Sequence, residues 1–235
     1  MIDRQLNYGR HLVERFLLQS LPYRSVLDIG AGSGIDLKLA KKVNPSAKLS
    51  AVEVYVPYAE RLRSEDIQVY PLNIEHDRLP FANDELDVVI ANQVLEHTKE
   101  IFWIFHEVTR VLRIGGRFIV GVPNLAALHN RLLLLLGKQP SPIKSHSAHV
   151  RGFTRNDLMN FVEASFPGGG YELKGFGGSN FYPFPPVLAR PLAHILPNMA
   201  WGIFLLLEKK CAYSREFLDF PRREQLETNF WLGTE

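Results

Sequence analysis

The sequence predicts an α/β fold: a Rossmann-like, doubly wound sheet of seven mostly parallel strands with helices on both faces. Three observations predict it. Short apolar runs typical of buried strands alternate with helical periodicity between residues 25 and 123. A glycine-rich turn follows the first run, in SVLDIGAGSG. Two later runs, YELKGF and GIFLLLE, supply the last strands, after a helical and loop insertion that we expect to form a small lid.

Strands and helices follow in a regular order. A leading helix over residues 5–20 stops at Pro22, and strands are predicted at SVLDI, KLSAVEV, IQVY, LDVVIA and RFIVGVP. Between them, helices are predicted at IDLKLAKKV, PYAERLRS and about 99–112, and we expect Gly115-Gly116 to end the last of these. The alternation requires right-handed crossovers, and therefore a mostly parallel sheet.

The pattern changes after Pro123. A helix over about 124–137 precedes the polar loop KQPSPIKSHSAHV. Thr154, with Asp157 three residues later, is typical of an N-cap, and predicts a helix to about residue 165, before the glycines at 168–170. The stretch FGGSNFYPFPP is rich in glycine, proline and aromatics, which is typical of a functional lid and equally of a connecting loop.

Charge and cysteine content narrow the class of protein. The 235-residue chain has a formal net charge of +2, which gives no electrostatic case for a nucleic-acid partner. A single cysteine, Cys211, excludes an internal disulfide and is typical of a reducing compartment. The amino-terminal segment carries charges throughout, unlike a signal peptide. We therefore predict a cytoplasmic protein, and small or mildly amphiphilic partners stay open.

Two apolar stretches bear on membrane contact. LLLLL at 132–136 is far shorter than the ~20 residues of a spanning helix. The stretch 186–207 contains Pro191 and Pro197, which disfavour a spanning helix, so we expect a loop or helix that leads into a buried strand. We predict no spanning segment and leave peripheral membrane contact open. The leucines either contact an apolar ligand or bury their helix in the core.

The glycine-rich turn predicts a small ligand with an anionic group. Ligands of open parallel sheets sit beyond the carboxyl ends of the strands, and glycines there let a ligand approach the main chain. The following helix points its amides at the same place. Ile35 occupies the third glycine position of the dinucleotide fingerprint, which disfavours a nicotinamide-dependent oxidoreductase. Glu53, at the end of the second strand, is suited to accept hydrogen bonds from ribose hydroxyls.

Taken together, these motifs resemble the class I S-adenosylmethionine-dependent methyltransferases, in particular the small type 11, ubiquinone-biosynthesis-like group. The stretch LNIEHDRLPFANDELDVVIANQVLEHT resembles the family's adenine loop, its L-P-F segment and its V-L-E-H turn. RVLRIGGRFIVGVPN resembles the family's R-V-L-x-x-G-G motif and fifth strand. The resemblance covers about residues 24–124.

The resemblance implies a site for S-adenosylmethionine. Asp28 and the glycine loop would hold the methionine part, Glu53 the ribose, and Asn73 with Ile74 the adenine, although the family usually has an acid where Asn73 stands. Asn92 and Gln93 would face the sulfonium, while Glu96 and His97 match the family turn, either as catalytic residues or as supports for the next helix. The implied cofactor-binding residues are Asp28, Gly30, Ala31, Gly32, Gly34, Glu53, Val54, Asn73, Ile74, Asn92, Gln93 and His97.

Candidate residues for the methyl acceptor lie after the fifth strand. His149 is a candidate catalytic residue, as general base or as a group that closes the site, together with Asn92. Asn124, His146 and Arg151 are candidate substrate contacts. No carboxylate is evident beside HSAH, so we predict no metal site. VPNLA lacks the second proline and the aromatic of the amino-methylating motif, which favours an oxygen or carbon acceptor, with an apolar or lipid-linked portion left open.

The sequence thus predicts a methyltransferase of a small molecule, as a monomer or homodimer. An alternative is a member of the fold that binds the cofactor but methylates a protein or transfers nothing. We expect a single domain over residues 1–235. Its parts would be a leading helix (1–22), a cofactor-binding core (24–124), a substrate-side insertion and lid (125–200), and a last strand with the tail (201–235).

Overall fold

A computed structural model of the chain describes residues 4–231. The ends of two predicted segments, residues 1–3 of the leading helix and 232–235 of the tail, lie outside these residues. The strands are β1 (Ser25–Ile29), β2 (Lys48–Val52), β3 (Gln68–Tyr70), β4 (Leu86–Asn92), β5 (Leu112–Pro123), β6 (Tyr171–Ser179) and β7 (Gly202–Lys209). The helices are α1 (Arg10–Gln19), α2 (Ile35–Val43), α3 (Val56–Ser64), α4 (Ile101–Val111), α5 (Leu128–Leu135), α6 (Arg155–Ser165), α7 (Pro186–Ile195) and α8 (Glu216–Arg223).

The strands form the predicted seven-stranded sheet, in the order β3-β2-β1-β4-β5-β7-β6. β1 to β5 are parallel, and β7 lies antiparallel between β5 and β6. The central strands are buried because apolar side chains cover both of their faces, which is why they appear in the sequence as nearly unbroken apolar runs. Separate apolar clusters form the core on the two sides, one around Phe105 and Phe118, the other around Phe16 and Leu37.

Most predicted boundaries are confirmed, and β1 and α2 match the predicted segments residue for residue. The prediction that Gly115-Gly116 ends the preceding helix is wrong. α4 ends at Val111, because Leu112 is already extended and pairs with Leu86 as the first residue of β5. The register then shifts before Val88, so the glycines lie within an irregular stretch of strand rather than after a helix.

A buried ion pair explains two of the motifs noted in the sequence. Arg110, in R-V-L, donates hydrogen bonds to both carboxylate oxygens of Glu107 at 2.7 Å. It also donates to the carbonyl oxygens of Leu79 and Phe81 in L-P-F, while the Leu79 amide donates to Glu107 at 2.6 Å. Because the charges are paired and hydrogen-bonded, they are tolerated in the interior. The two motifs therefore fix the segment before β4 against α4.

The insertion after β5 differs from prediction in two places. The helix predicted over 124–137 is shorter, since α5 begins at Leu128 and its last turn gives way to Gly137 in the left-handed region. Residues 176–179 of the predicted lid belong to β6, which leaves 180–185 as the connection to α7. The Thr154 cap of α6 is confirmed, with its hydroxyl accepting from the Asp157 amide.

The leucines of α5 do not bury their helix, so that reading of LLLLL is wrong. Leu135 is 82% exposed and Leu136 is 69% exposed. The stretch 186–207 forms α7 followed by β7, as expected. Inner residues of both α5 and α7, including Leu128 and Ala193, pack in one small apolar cluster, so the two helices are neighbours. No helix within residues 4–231 combines the length and apolar character needed to cross a membrane.

Candidate functional site

A pocket of about 510 Å³ opens at the carboxyl ends of β1 and β4. Its walls include the glycine loop after β1, Asp28, Asn92, and residues from the leading segment and the loop before α6. Larger clefts of about 850 and 890 Å³ lie near the opposite ends of the strands, around Lys48. Of these three cavities, the pocket of about 510 Å³ alone lies at the carboxyl edge of the sheet, where open parallel sheets bind ligands, so it is the candidate site.

The glycine loop is shaped for close approach to the main chain. Gly30 and Gly32 have φ values of 68° and 52°, in the left-handed region that glycine tolerates best. A Cβ on Gly30 would lie 2.6 Å from Val94, whereas nothing lies within 4 Å of the position of a Cβ on Gly32. Gly34 (φ 73°) serves packing, since its Cβ would lie 2.4 Å from Leu62. Gly32 therefore leaves an open approach to the main chain.

Glu53 holds the glycine loop in place. One carboxylate oxygen accepts a hydrogen bond from the Gly32 amide at 2.7 Å, and the other accepts from the Tyr55 amide at 2.8 Å. The residue is only 8% exposed, so water does not compete strongly for these bonds. An ionised carboxylate still offers further acceptor positions, so these bonds leave Glu53 able to accept from a ribose.

Two buried carboxyl groups, those of Asp28 and Asp36, line the floor of the pocket. Burial raises the pKa of Asp28 well above its usual range, and the neighbouring Asp36 and Glu53 raise it further. Burial also raises the pKa of Asp36, while a hydrogen bond from Asn92 and the charge of Arg10, 4.0 Å away, oppose this shift. A cationic ligand would stabilise the ionised carboxylates, so the pocket suits a cation better than an anion at this point.

Asn92 bridges the sheet and the leading segment. Its amide nitrogen donates to Asp36 at 2.7 Å and to the Tyr8 carbonyl oxygen at 2.9 Å. Its Oδ1 has no hydrogen-bond partner among the described residues. Asn92 therefore holds the amino-terminal wall of the pocket through its amide nitrogen, while its Oδ1 is buried.

Three side chains form a cluster on another wall of the pocket. One ligand-capable atom each from Glu96, His97 and His149 lies within 4.8 Å of the other two. The His97 and His149 rings contact edge to face, with centroids 4.6 Å apart. This corrects the premise that HSAH lacks a carboxylate partner: the fold brings Glu96, 53 positions earlier in the chain, next to His149.

The electrostatics of this cluster are unusual. Glu96 is 1% exposed, and within residues 4–231 neither of its carboxylate oxygens has a hydrogen-bond partner. Burial raises the pKa of Glu96 to about 8. Burial lowers the pKa of His149, and the adjacent His97 lowers it further. At neutral pH the cluster therefore contains a neutral His149 and a largely protonated Glu96. Gln93 adds a strained neighbour, with φ 60° and a buried amide nitrogen lacking a partner in the described chain.

The pocket brings together about half of the site residues predicted from the sequence. Those that line it are Asp28, Gly30, Ala31, Gly32, Asn92, Gln93, His97 and His149. Val54 is 63% exposed and is not on its walls. The Asn73 side chain accepts from the Glu75 amide within its own turn, and Ile74 packs against the core. The adenine contacts therefore stay a prediction.

The predicted substrate contacts are not among the pocket-lining residues. Asn124 is 1% exposed, and its side chain links the end of β5 to the segment before β7. It donates to the carbonyl oxygens of Asn198 and Ala200 and accepts from the Ala126 amide. Because its amide is engaged with main-chain groups, Asn124 has a structural role here. Arg151 donates to the Lys99 carbonyl oxygen at 2.9 Å, and His146 is exposed.

Sequence reasoning missed several residues of the site. The leading segment supplies Asn7, Tyr8 and Arg10 to the pocket wall, and Tyr58 and Trp201 also line it. In the sequence, Gly9 was a signal that this segment packs closely. Its backbone is left-handed, and a Cβ at Gly9 would lie only 2.3 Å from the Phe204 ring. Asp36 was recognisable as an acid in the first turn of α2, where a negative charge also stabilises the helix.

Comparisons with known proteins find methyltransferases. Residues 27–120 match the family model described as a methyltransferase domain. The chain is 28% identical over 115 residues to a malonyl-[acyl-carrier protein] O-methyltransferase of Legionella pneumophila, covering 48% of this chain and 40% of that protein. It is 27% identical over 175 residues to a ubiquinone/menaquinone biosynthesis C-methyltransferase of Hahella chejuensis, covering 70% of this chain and 65% of that one. The chain thus spans less than two thirds of the length of these curated relatives.

A solved structure confirms the fold. A SAM-dependent methyltransferase from Archaeoglobus fulgidus superposes with a TM-score of 0.59 at 15% identity, covering 85% of this chain and 94% of that one. With the family match over residues 27–120 and the sheet order, the fold is that of the class I S-adenosylmethionine-dependent methyltransferases. Residues 27–120 are thus similar to the methyltransferase domain of the type 11 group, as the motifs indicated.

Proposed function

We propose that this chain transfers the methyl group of S-adenosylmethionine to an oxygen or carbon atom of a small molecule. The observation that carries the proposal is the composition of one pocket: an open glycine loop and two buried carboxyl groups on one side, and a glutamate–histidine cluster on the other. The first set suits a cationic cofactor and the second suits an acceptor that must lose a proton.

The glycine side of the pocket fits the cofactor. S-adenosylmethionine supplies an electrophilic methyl group on a sulfonium carried by a methionine moiety. Asp28 and Asp36 would attract the positive charge of that moiety, and the open main chain at Gly32 would let it approach. Amides at the start of α2 are suited to the methionine carboxylate. Glu53 would accept from the ribose while it holds the loop.

The histidine side of the pocket fits the acceptor. A hydroxyl or an activated carbon must lose a proton when it is methylated. His149 is suited to this step, because burial and the adjacent His97 lower the pKa of its imidazole and the residue lines the pocket. One relative is named as an O-methyltransferase and another as a C-methyltransferase, which supports both kinds of acceptor.

The surface of α5 and α7 supports an acceptor with an apolar or lipid-linked portion, met at a membrane surface. Its exposed apolar side chains are Leu132, Leu134, Leu135, Leu136, Val187, Leu188, Ile195 and Leu196. Residues 124–156 and 173–207 contain no aspartate or glutamate, whereas they carry five and two lysines or arginines, respectively. Exposed leucines among cations are typical of proteins that rest on anionic bilayers. We propose such peripheral contact, for a protein of the cytoplasm.

Calorimetric titration tests the proposed function first. S-adenosylmethionine and S-adenosylhomocysteine should bind with micromolar affinity, and NAD should not bind. Transfer of a labelled methyl group to hydroxylated and quinone-like acceptors then tests the reaction. Folded protein that binds neither adenosyl compound would refute the proposal, and binding without transfer to any small acceptor would favour the alternative of a protein acceptor or no transfer.

A further inference from the structure

We infer that Glu96, His97 and His149 form a binding site for a divalent first-row transition metal ion on the wall of the cofactor pocket. The inference begins with Glu96. A carboxyl group that is 1% exposed and has no hydrogen-bond partner within residues 4–231 carries a large desolvation cost. Native proteins offset such costs with a partner, and the nearest ligand-capable groups are two imidazoles.

The main chain builds this arrangement. The carbonyl oxygen of Glu96 accepts hydrogen bonds from the amides of Val150 at 2.8 Å and Arg151 at 3.3 Å. Arg151 also donates from its side chain to the Lys99 carbonyl oxygen, which ties the same two segments together again. His149 is therefore held against the turn of Glu96 and His97, although 52 residues separate His97 from His149.

The donor set selects the kind of ion. Two imidazole nitrogens and one carboxylate oxygen are suited to Zn²⁺ and neighbouring transition metals, whereas Mg²⁺ and Ca²⁺ prefer oxygen ligands alone. Ligand atoms around tetrahedral Zn²⁺ lie roughly 3.4 Å apart, for bonds of about 2.1 Å. The three atoms are within 4.8 Å of one another, so side-chain rotation must bring them closer. His97 is exposed and has room for it.

The position of the cluster indicates a use for the ion. Three protein ligands leave further coordination positions, and the cluster lines the same pocket as Asp28 and the glycine loop. Resting on the proposed function, we assign these positions to an oxygen of the methyl acceptor. With the ion bound, His149 is a ligand and no longer the base of the proposed function. A hydroxyl bound to the ion instead loses its proton to solvent water more readily, and the resulting oxyanion takes the methyl group as the sulfur takes the electron pair of the broken carbon–sulfur bond.

Metal binding to the full chain tests the site directly. After treatment with a chelator, the protein is titrated with Zn²⁺ by calorimetry and with Co²⁺ by visible absorption. We expect one equivalent to bind and Co²⁺ to develop bands of a site with nitrogen and oxygen ligands. Glu96→Gln and His149→Ala should each weaken binding at least tenfold. His194→Ala, which removes an exposed histidine of α7 outside the cluster, should bind like the wild type.

Two controls keep the outcome interpretable. Thermal unfolding verifies that each variant is folded, and S-adenosylhomocysteine binding is measured on the same samples. Cofactor binding without stoichiometric metal would overturn the metal site while leaving the proposed function intact. Metal bound equally well by Glu96→Gln, in folded protein, would also overturn it. Metal binding that depends on the cluster, in a protein that ignores S-adenosylhomocysteine, would support the site and refute the proposed function instead.

Discussion

The carboxylate of Glu53 accepts a hydrogen bond from the main-chain amide of Gly32, 2.7 Å away across the turn that joins β1 to α2. One side chain thus links the end of β2 to the loop that would hold the methionine part of the cofactor. Glu53 fixes the loop, and in the proposed site it would also accept a hydrogen bond from the ribose. Both tasks use the same two oxygens, so removal of the carboxylate should affect cofactor binding more than a single ribose contact would suggest.

Replacement of Glu53 tests this double role. We expect Glu53→Ala to weaken S-adenosylmethionine binding by roughly 1 to 3 kcal/mol, the range for losing hydrogen bonds to a charged group. Glu53→Gln should lose less, since an amide oxygen can still accept from Gly32. Calorimetry gives the affinities, and Glu60→Ala, on the exposed face of α3, is the matched control. An affinity of Glu53→Ala equal to that of the control would rule out both tasks.

Cofactor binding should release a proton from Asp28. In the ligand-free protein, burial and the neighbouring Asp36 and Glu53 raise the pKa of Asp28, so its carboxyl group holds a proton to higher pH than usual. A bound cation favours the ionised form and lowers that pKa. At a pH between the pKa of Asp28 in the complex and its pKa in the free protein, cofactor binding releases a proton. Affinity should therefore rise with pH, up to the pKa of the free protein, and then level off.

Calorimetry in two buffers of different ionisation enthalpy measures that proton. The apparent binding enthalpy of the wild type should depend on the buffer, and the dependence should largely disappear in Asp28→Asn. Asp66→Asn, an exposed residue after α3, provides the comparison. A buffer-independent enthalpy in the wild type over the whole pH range in which the protein is folded would show that Asp28 does not change its protonation when the cofactor binds.

Two glycines of one loop should respond differently to alanine. Gly32→Ala and Gly34→Ala both force a Cβ into left-handed backbone, at a cost of about 1 to 2 kcal/mol. Only Gly34→Ala also drives the Cβ against buried Leu62, which adds overpacking of about 1 to 3 kcal/mol. Denaturant unfolding should therefore show the larger loss of stability for Gly34→Ala. Relative to its loss of stability, Gly32→Ala should lose more cofactor affinity than Gly34→Ala. If the two variants lost stability and affinity in the same proportion, the two glycines would not have the separate roles proposed here.

The sequence predicted the sheet better than the site, for a physical reason. Strands and helices of the core are specified by local periodicity, and buried runs such as SVLDI and LDVVIA show it plainly. The start of β5 was misplaced, at Arg117 instead of Leu112, because the extended backbone at Leu112 depends on pairing with Leu86, a contact between distant residues. Local signals cannot report such pairing.

The site shows the same limit more strongly. The glycine loop was predictable because its conformation needs glycine, and Gly30 and Gly32 do lie in the pocket. The Glu96–His149 contact was not, because it joins segments that meet only after the sheet has formed. The engagement of Asn124 with main-chain groups near residue 200 was hidden for the same reason. The exposed leucines of α5 are the opposite case, since apolar residues in a helical pattern usually indicate a core, and here they face solvent.

Binding to lipid vesicles tests the surface of α5 and α7. The wild type should sediment with vesicles that contain anionic lipid, and less so with neutral vesicles or at high salt, because the cations of the insertion contribute only while they are unscreened. Full burial of a leucine is worth about 1.5 to 3 kcal/mol. The double variant Leu135→Ser/Leu136→Ser, at two highly exposed positions, should therefore lose roughly tenfold or more in affinity for anionic vesicles. Leu18→Ser, on exposed α1 outside this surface, should bind like the wild type. If the double variant and the wild type sediment alike, the apolar side chains of α5 do not contact lipid, and the proposed membrane contact fails without affecting the cofactor site.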